Sequence, residues 1–236
     1  MTVRKMGASR PPRTLGGGLG SVSRVTSASH AREPHVERCA ACREPLVDGA
    51  CPNRVCCLPD RAFSRLYTVS QSAKETWDLI YRYKYGEEKH LADDLGGTLV
   101  SFLDANRGEL ERYDLFTPVA LYIGPMARRL WDYLELILDA AGRLDPTWPF
   151  ATDLITKVQP TGRFLGIGVE ERRVIAEGEL RAALRVPDPS RVEGKRVLVI
   201  DDAFSEGFTL REMARALRQA GAAEVAGLVF VRRKSA

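Results

Sequence analysis

The apolar residues of the chain recur at two spacings, and together they predict helices alternating with strands. Trp77, Ile80, Tyr81 and Tyr85 fall on one face of a helix with a 3.6-residue repeat. Ser72-Ala-Lys-Glu75 is a capping-box pattern at its start, and Gly86 is a stop at its end. A second helix is predicted over 91–105, with Leu91, Leu95, Leu99, Phe102 and Leu103 inward. Residues 114–121 read as a strand in which Pro118 limits pairing. A third helix over 126–141 fits Met126, Leu130, Tyr133, Leu134, Ile137 and Leu138, with Gly142 as its C-cap. A strand over 150–158 is followed by a mobile loop over 159–169, carrying Pro160, Gly162, Gly166 and Gly168. A short helix at 170–176 and a strand near 183–186 come next.

The last unit has the clearest pattern. Val197-Leu-Val-Ile200 is an unbroken apolar run, as expected of a parallel strand buried on both faces. Thr209-Leu-Arg-Glu212 is a second capping-box pattern, and Leu210, Met213, Ala214 and Leu217 continue at helical spacing to Gly221. Val225 to Val231 is the next strand. Strand, loop, helix and strand form a βαβ unit, and the alternation along the chain predicts an α/β fold with a mostly parallel sheet flanked by helices.

Composition qualifies this picture at the N-terminus. Residues 1–36 are rich in Gly, Ser and Arg and poor in large apolar side chains, so a disordered basic tail is expected. Arg4, Lys5, Arg10, Arg13, Arg24 and Arg32 face only Glu33 there, and the competing reading is a basic arm for nucleic acid or a partner. The net charge of +4 permits an anionic ligand without requiring nucleic acid. No run of about 18 apolar residues predicts a membrane span. The basic start lacks the apolar stretch of a secretory signal, so a cytoplasmic location is expected. In that compartment a disulfide framework is not expected of the 5 cysteines.

The cysteines lie in Cys39-Ala-Ala-Cys42 and Cys51-Pro-Asn-Arg-Val-Cys56-Cys57. Two close pairs on either side of a short hairpin suit a tetrahedral zinc site, with Cys39, Cys42, Cys51 and Cys56 as ligands. Cys57 is an alternative to Cys56, and His35 is a weaker candidate. Four thiolates leave no open coordination position, so the expected role of Zn²⁺ is folding. Residues 37–68 are then a small zinc-ribbon-like module, and 69–236 a separate domain.

The segment from Asp201 to Thr209 carries the candidate chemistry. It lies between a buried strand and a helix N-terminus, where free N–H groups and the helix dipole attract phosphate. Gly207 permits close backbone approach, and Ser205 and Thr209 offer hydroxyls. Asp201 and Asp202 suit sugar hydroxyls or a metal ion. The aromatic residues Trp77, Trp131, Trp148, Tyr81, Tyr83 and Tyr85 read first as core, with base stacking as the alternative.

VLVIDDAFSEGFTL resembles the phosphoribosyl-pyrophosphate (PRPP) motif of type I phosphoribosyltransferases: an apolar strand, two acids, two variable positions, Thr-Thr-Gly-any-Thr, then a helix. With the cysteine cluster and Lys84-Tyr85-Gly86, the chain is similar to the ComF (GntX-like) branch. The resemblance implies the phosphoribosyltransferase type I fold, with Asp201 and Asp202 on the ribose hydroxyls as the catalytic pair. Ala203 and Phe204 would stand at the variable positions of the binding loop. Ser205, Glu206, Gly207, Phe208 and Thr209 would surround the 5′-phosphate. It further implies Mg²⁺ on pyrophosphate and transfer to a base or amine. The alternative is a non-catalytic regulatory or accessory role with the DNA-uptake machinery. Strand 114–121 and Tyr122-Ile-Gly-Pro125 would serve the pyrophosphate side. Lys157, Arg163, Arg172 and Arg173 are candidate cations on the loop over the site. The sequence departs from the family where Glu206 replaces the second Thr, where Phe208 replaces a small residue, and in Ala127-Arg-Arg-Leu-Trp-Asp132. A carboxylate beside phosphate costs more than about 1 kcal/mol unless it turns to solvent or reaches a cation.

Overall fold

A computed structural model describes residues 37–70, 73–86, 88–127, 130–164 and 166–233. The expectations for the tail, His35, the Ser72 cap and the Arg128-Arg129 pair lie outside these residues.

The main sheet has four parallel strands in the order β1-β6-β5-β2, where β1 is Leu66–Thr68, β2 is Leu115–Pro118, β5 is Arg196–Phe204 and β6 is Glu224–Arg232. Val197, Leu198, Val199 and Ile200 are fully buried, as the unbroken apolar run predicts. Pro118 is tolerated because β2 pairs with β5 on one side only, and the extended backbone at 149–151 meets its other edge at Phe116. The expected strand over 150–158 is reduced to that contact and to β3 (Thr156–Lys157), which pairs antiparallel with β4 (Leu184–Arg185).

Helices flank the sheet. α1 is Ala73–Tyr85, α2 is Leu91–Ala105, α3 is Arg107–Leu110 and α4 is Tyr133–Leu144. α2 packs on α4, which lies against β2 and β5. Three sequence readings change here. The helix expected from Met126 begins only at Tyr133, because Asp132 caps it by accepting the backbone N–H groups of Leu134 and Glu135 at 3.0 Å each. Met126 takes a positive φ of 63°, and Met126 and Leu130 are exposed. Gly142 lies inside the helix rather than capping it. On α1 the inward aromatic residue is Tyr83, whereas Tyr81 and Tyr85 face outward. Tyr83 wins the core position because Trp131 and Tyr133 pack edge-on against its ring.

α5 (Val169–Ile175) runs through a π-helical turn at Ala176–Leu180 into α6 (Arg181–Ala183). α7 (Phe208–Gln219) joins β5 to β6 and completes the βαβ unit, with Gly221 at a positive φ of 101° just past its end. The capping box expected at Thr209–Glu212 does not form. The N-cap is Gly207, and the Glu212 carboxylate is buried and accepts from Arg181 Nε and Nη2 at 2.8 and 3.0 Å. No helix among the described residues is long and apolar enough to cross a membrane.

The cysteine-bearing segment folds onto the same core. A hairpin turns at Asp48-Gly49, where Val47 and Ala50 exchange backbone hydrogen bonds of 2.8 and 2.9 Å. The Leu66 N–H donates to Ala41 O at 2.8 Å, and β1 then enters the main sheet beside β6. Phe63 meets the Phe204 ring edge-on at 6.3 Å, which joins this segment to the C-terminal end of β5.

Candidate functional site

β5 continues through Phe204, so Asp201, Asp202, Ala203 and Phe204 are strand residues and the turn proper is Ser205-Glu206-Gly207. All nine residues from Asp201 to Thr209 line a cavity of about 800 Å³ at the C-terminal end of the sheet. Parallel α/β sheets bind ligands at this end. Gly207 has φ 89°, and a Cβ there would lie 2.6 Å from the Phe204 ring. Only glycine turns the chain into α7 while Phe204 remains beneath it. The first turn of α7 has no side-chain cap on its N–H groups. Phe204 and Phe208 are buried, so they shape the turn by packing.

The twin aspartates differ. Asp202 is buried; its carboxylate accepts from Lys84 Nζ at 2.6 Å and from the Tyr133 hydroxyl at 2.9 Å. Asp201 is half-buried and accepts the Asp202 N–H at 2.8 Å. Burial and the neighbouring Asp202 charge raise the Asp201 carboxyl well above the usual range. Burial also opposes ionisation of Asp202, but Lys84 and the hydrogen bonds outweigh it and hold that carboxyl low. Lys84 also lies over the Tyr133 ring at 4.4 Å. The sequence marks Lys84-Tyr85-Gly86 only as a likeness; the 118-residue separation between Lys84 and Asp202 carries no local signal.

Glu206 reaches a cation. Its buried carboxylate accepts from Arg172 Nη1 at 2.9 and 3.1 Å and from Ser205 Oγ at 2.7 Å. Burial alone would raise its pKa, but these bonds and its own backbone N–H hold it below the ordinary value of 4.5. Of the cations proposed from the loop, Lys157, Arg163 and Arg172 line the cavity. Arg173 is instead held by Glu170 and Glu177, with contacts of 2.5 Å to each. Tyr122 lines the β2 side. Trp77 and Trp131 are at the cavity wall, while Trp148 is buried, stacked on Phe116 at 5.5 Å.

The Sγ atoms of Cys39, Cys42, Cys51 and Cys56 lie within 4.8 Å of one another. Sulfurs about 2.3 Å from a tetrahedral Zn²⁺ are spaced within that reach, so the donor set fits zinc. The first pair sits on a knuckle: the Arg43 N–H donates to Cys39 O at 2.8 Å, and the Cys39 N–H to Glu44 O at 2.7 Å. Cys57 stays outside the cluster, exposed, with its thiol directed at Cys51 O and Asn53 O. A hydrogen bond from Cys56, supported by Arg232, holds the Cys42 thiol down to about 4 against the effect of burial. Burial pushes Cys51 up to about 12, and the bond to Cys42 raises Cys56.

Asn53, between the second pair of cysteines, is buried and donates from Nδ2 to Ser205 O at 2.7 Å. Arg232 at the end of β6 bonds Cys42 O, lies 3.2 Å from Cys42 Sγ and stacks 5.4 Å over Phe204. Neither bridge has a local signature along the chain.

An acidic strand end, a glycine turn and an uncapped helix start all face one cavity, and residues 145–236, which carry them, match the family described as phosphoribosyl transferase domain. Among its relatives is DNA utilization protein YhgH. The chain is 27% identical to the Escherichia coli K12 protein over 210 residues, covering 88% of this chain and 89% of the relative. The Shigella flexneri protein of the same name gives the same identity and coverage. Among solved structures, the chain is similar to an allosteric regulatory enzyme of purine biosynthesis (25% identity, TM-score 0.35, 59% of this chain and 25% of that one). It is also similar to glutamine PRPP amidotransferase from B. subtilis complexed with ADP and GMP (24%, TM-score 0.38, 60% and 26%). The chain thus spans about a quarter of those enzymes. The fold is the phosphoribosyltransferase type I fold, a parallel sheet flanked by helices, carrying an N-terminal cysteine cluster able to hold zinc.

Proposed function

We propose that the chain binds PRPP or a nucleotide 5′-phosphate over Asp201–Thr209 and transfers phosphoribosyl to a base or amine, releasing pyrophosphate. The observation that carries this is the cavity at the end of β5, which has carboxyls at one end and the uncapped start of α7 at the other. That spacing of hydroxyl-binding and anion-binding groups suits a sugar 5′-phosphate. Asp202 is committed to Lys84 and Tyr133, so Asp201 is the carboxyl left for the ribose hydroxyls or for Mg²⁺ carried by pyrophosphate. Transfer forms a bond from the acceptor to the anomeric carbon as the bond to pyrophosphate breaks, and the protein contributes position and charge. Zn²⁺ on Cys39, Cys42, Cys51 and Cys56 is a folding element in this proposal.

Calorimetry with PRPP and Mg²⁺ tests binding. Heat at submillimolar ligand that is lost in Asp201→Asn/Asp202→Asn supports it; none at millimolar ligand overturns it. Pyrophosphate release with a mixed base pool tests transfer. The second reading, a non-catalytic accessory protein in DNA utilization, is favoured by the ion-paired Glu206 in the anion turn and by the likeness to YhgH. It expects binding with no pyrophosphate from any base.

A further inference from the structure

At the turn after β5, the groups suited to an anion already hold one. Ser205 Oγ, the Glu206 backbone N–H and Arg172 Nη1 all serve the Glu206 carboxylate, whose side chain is 6% exposed at the cavity wall. Arg172 Nε is also buried and has no hydrogen-bond partner among the described residues, so this guanidinium has donor capacity that Glu206 does not use. The carboxylate is a built-in competitor for the site.

We propose that Arg172 is an anion-binding residue of this site, handed from Glu206 to the incoming phosphate, and that Glu206 selects phosphomonoesters over phosphodiesters. This rests on the reading of the turn as a phosphate site. The selectivity follows from charge. A terminal phosphate carries about −1.5 to −2 at neutral pH, whereas a diester carries a single charge, as the carboxylate does. A guanidinium offers a planar fork that suits phosphate oxygens better than a single Nη1 shared by two carboxylate oxygens. A dianion can take Arg172 from Glu206; a monoanion gains nothing by the exchange and leaves a buried carboxylate without its cation. Specificity then comes from an element that repels the wrong ligand. The chain thereby distinguishes a free 5′-phosphate from the internal phosphates of a nucleic acid.

The test is calorimetry at neutral pH with ribose 5-phosphate and its methyl diester, on the full chain and on Glu206→Gln, Arg172→Met and the double variant. Glu206→Thr is the second neutral variant, used if Glu206→Gln does not fold. The full chain is expected to prefer the monoester at least tenfold. Glu206→Gln is expected to tighten the diester at least tenfold and the monoester less, bringing the ratio below threefold. Adding Arg172→Met is expected to remove that gain. A neutral variant that binds both ligands as the full chain does overturns the proposal and leaves the phosphate site standing. Absence of binding by every form overturns both. A change in folding stability alone would not move the monoester-to-diester ratio.

Discussion

Removing Lys84 leaves Asp202 as a buried carboxylate without its cation. The pair has a contact of 2.6 Å, and each side chain is 9% exposed. Breaking such a pair from one side costs about 3–5 kcal/mol, most of it the uncompensated charge. Lys84→Met keeps the length and apolar contact of the stem, so the loss is mainly electrostatic. With a urea slope of about 2–3 kcal/mol per M, the unfolding midpoint at pH 7 should fall by roughly 1–2.5 M. Two controls follow from the geometry. In Lys84→Met/Asp202→Asn neither charge remains, and the introduced amide can still accept from Tyr133, so more than half of the loss should be restored. The deficit should also shrink with acid. Asp202 is held low only because Lys84 outweighs burial; without Lys84 its folded pKa rises above its unfolded value, and protonation stabilises the variant as pH falls. The assay is urea unfolding followed by fluorescence at pH 7 and pH 5. A loss under about 1 kcal/mol, or a double variant no better than the single one, would refute the assignment of Lys84 as the partner that keeps Asp202 ionised.

Three further outcomes are expected. Protein purified without added metal should carry about one Zn²⁺ per chain by elemental analysis; Cys42→Ser and Cys56→Ser should lose it and Cys57→Ser should keep it, since only Cys57 lies outside the cluster. Gly207→Ala places a Cβ against Phe204 at a positive φ, and should cost about 1–3 kcal/mol of stability and weaken ribose 5-phosphate binding, measured by urea unfolding and calorimetry. Glu206 has a folded pKa below its ordinary 4.5, so its contribution to stability is complete above that value and is lost as pH falls through the folded pKa. The stability gap between the protein and Glu206→Gln should therefore be constant from pH 6 to 8 and close in stronger acid.

The parts of the fold that were legible are those whose cause is local. The α2 stripe, the apolar run of β5, Gly207 and Gly221 each act within a turn or two, and the structure has them as read. The two cysteine pairs were legible because knuckle spacing is itself a local geometry. The misreadings came from patterns overruled at a distance. Met126 and Leu130 continue the periodicity of α4, but Asp132 caps the helix after them. Thr209 and Glu212 spell a cap, yet Glu212 is drawn into the interior by Arg181. Tyr81, Tyr83 and Tyr85 are alike in sequence, and only contact with Trp131 and Tyr133 decides which one turns inward. The chemistry of the site followed the same rule. The proposed loop from Asp201 to Thr209 is one contiguous run that lines one cavity, whereas Lys84 and Asn53 lie 118 and 152 residues from the atoms they hold. Arg172 was one of several loop cations until the structure set it beside Glu206.

Asn53 reaches from the thiol-rich segment to the carbonyl of Ser205, and Leu66–Thr68 leaves that segment as an edge of the main sheet. The small N-terminal piece thus braces the turn that borders the cleft from behind, rather than hanging beside it as a pendant. A graft of the larger part onto a foreign leader would arrive without that brace and with a raw sheet edge, so any minimal version engineered from this chain must start upstream of Cys39.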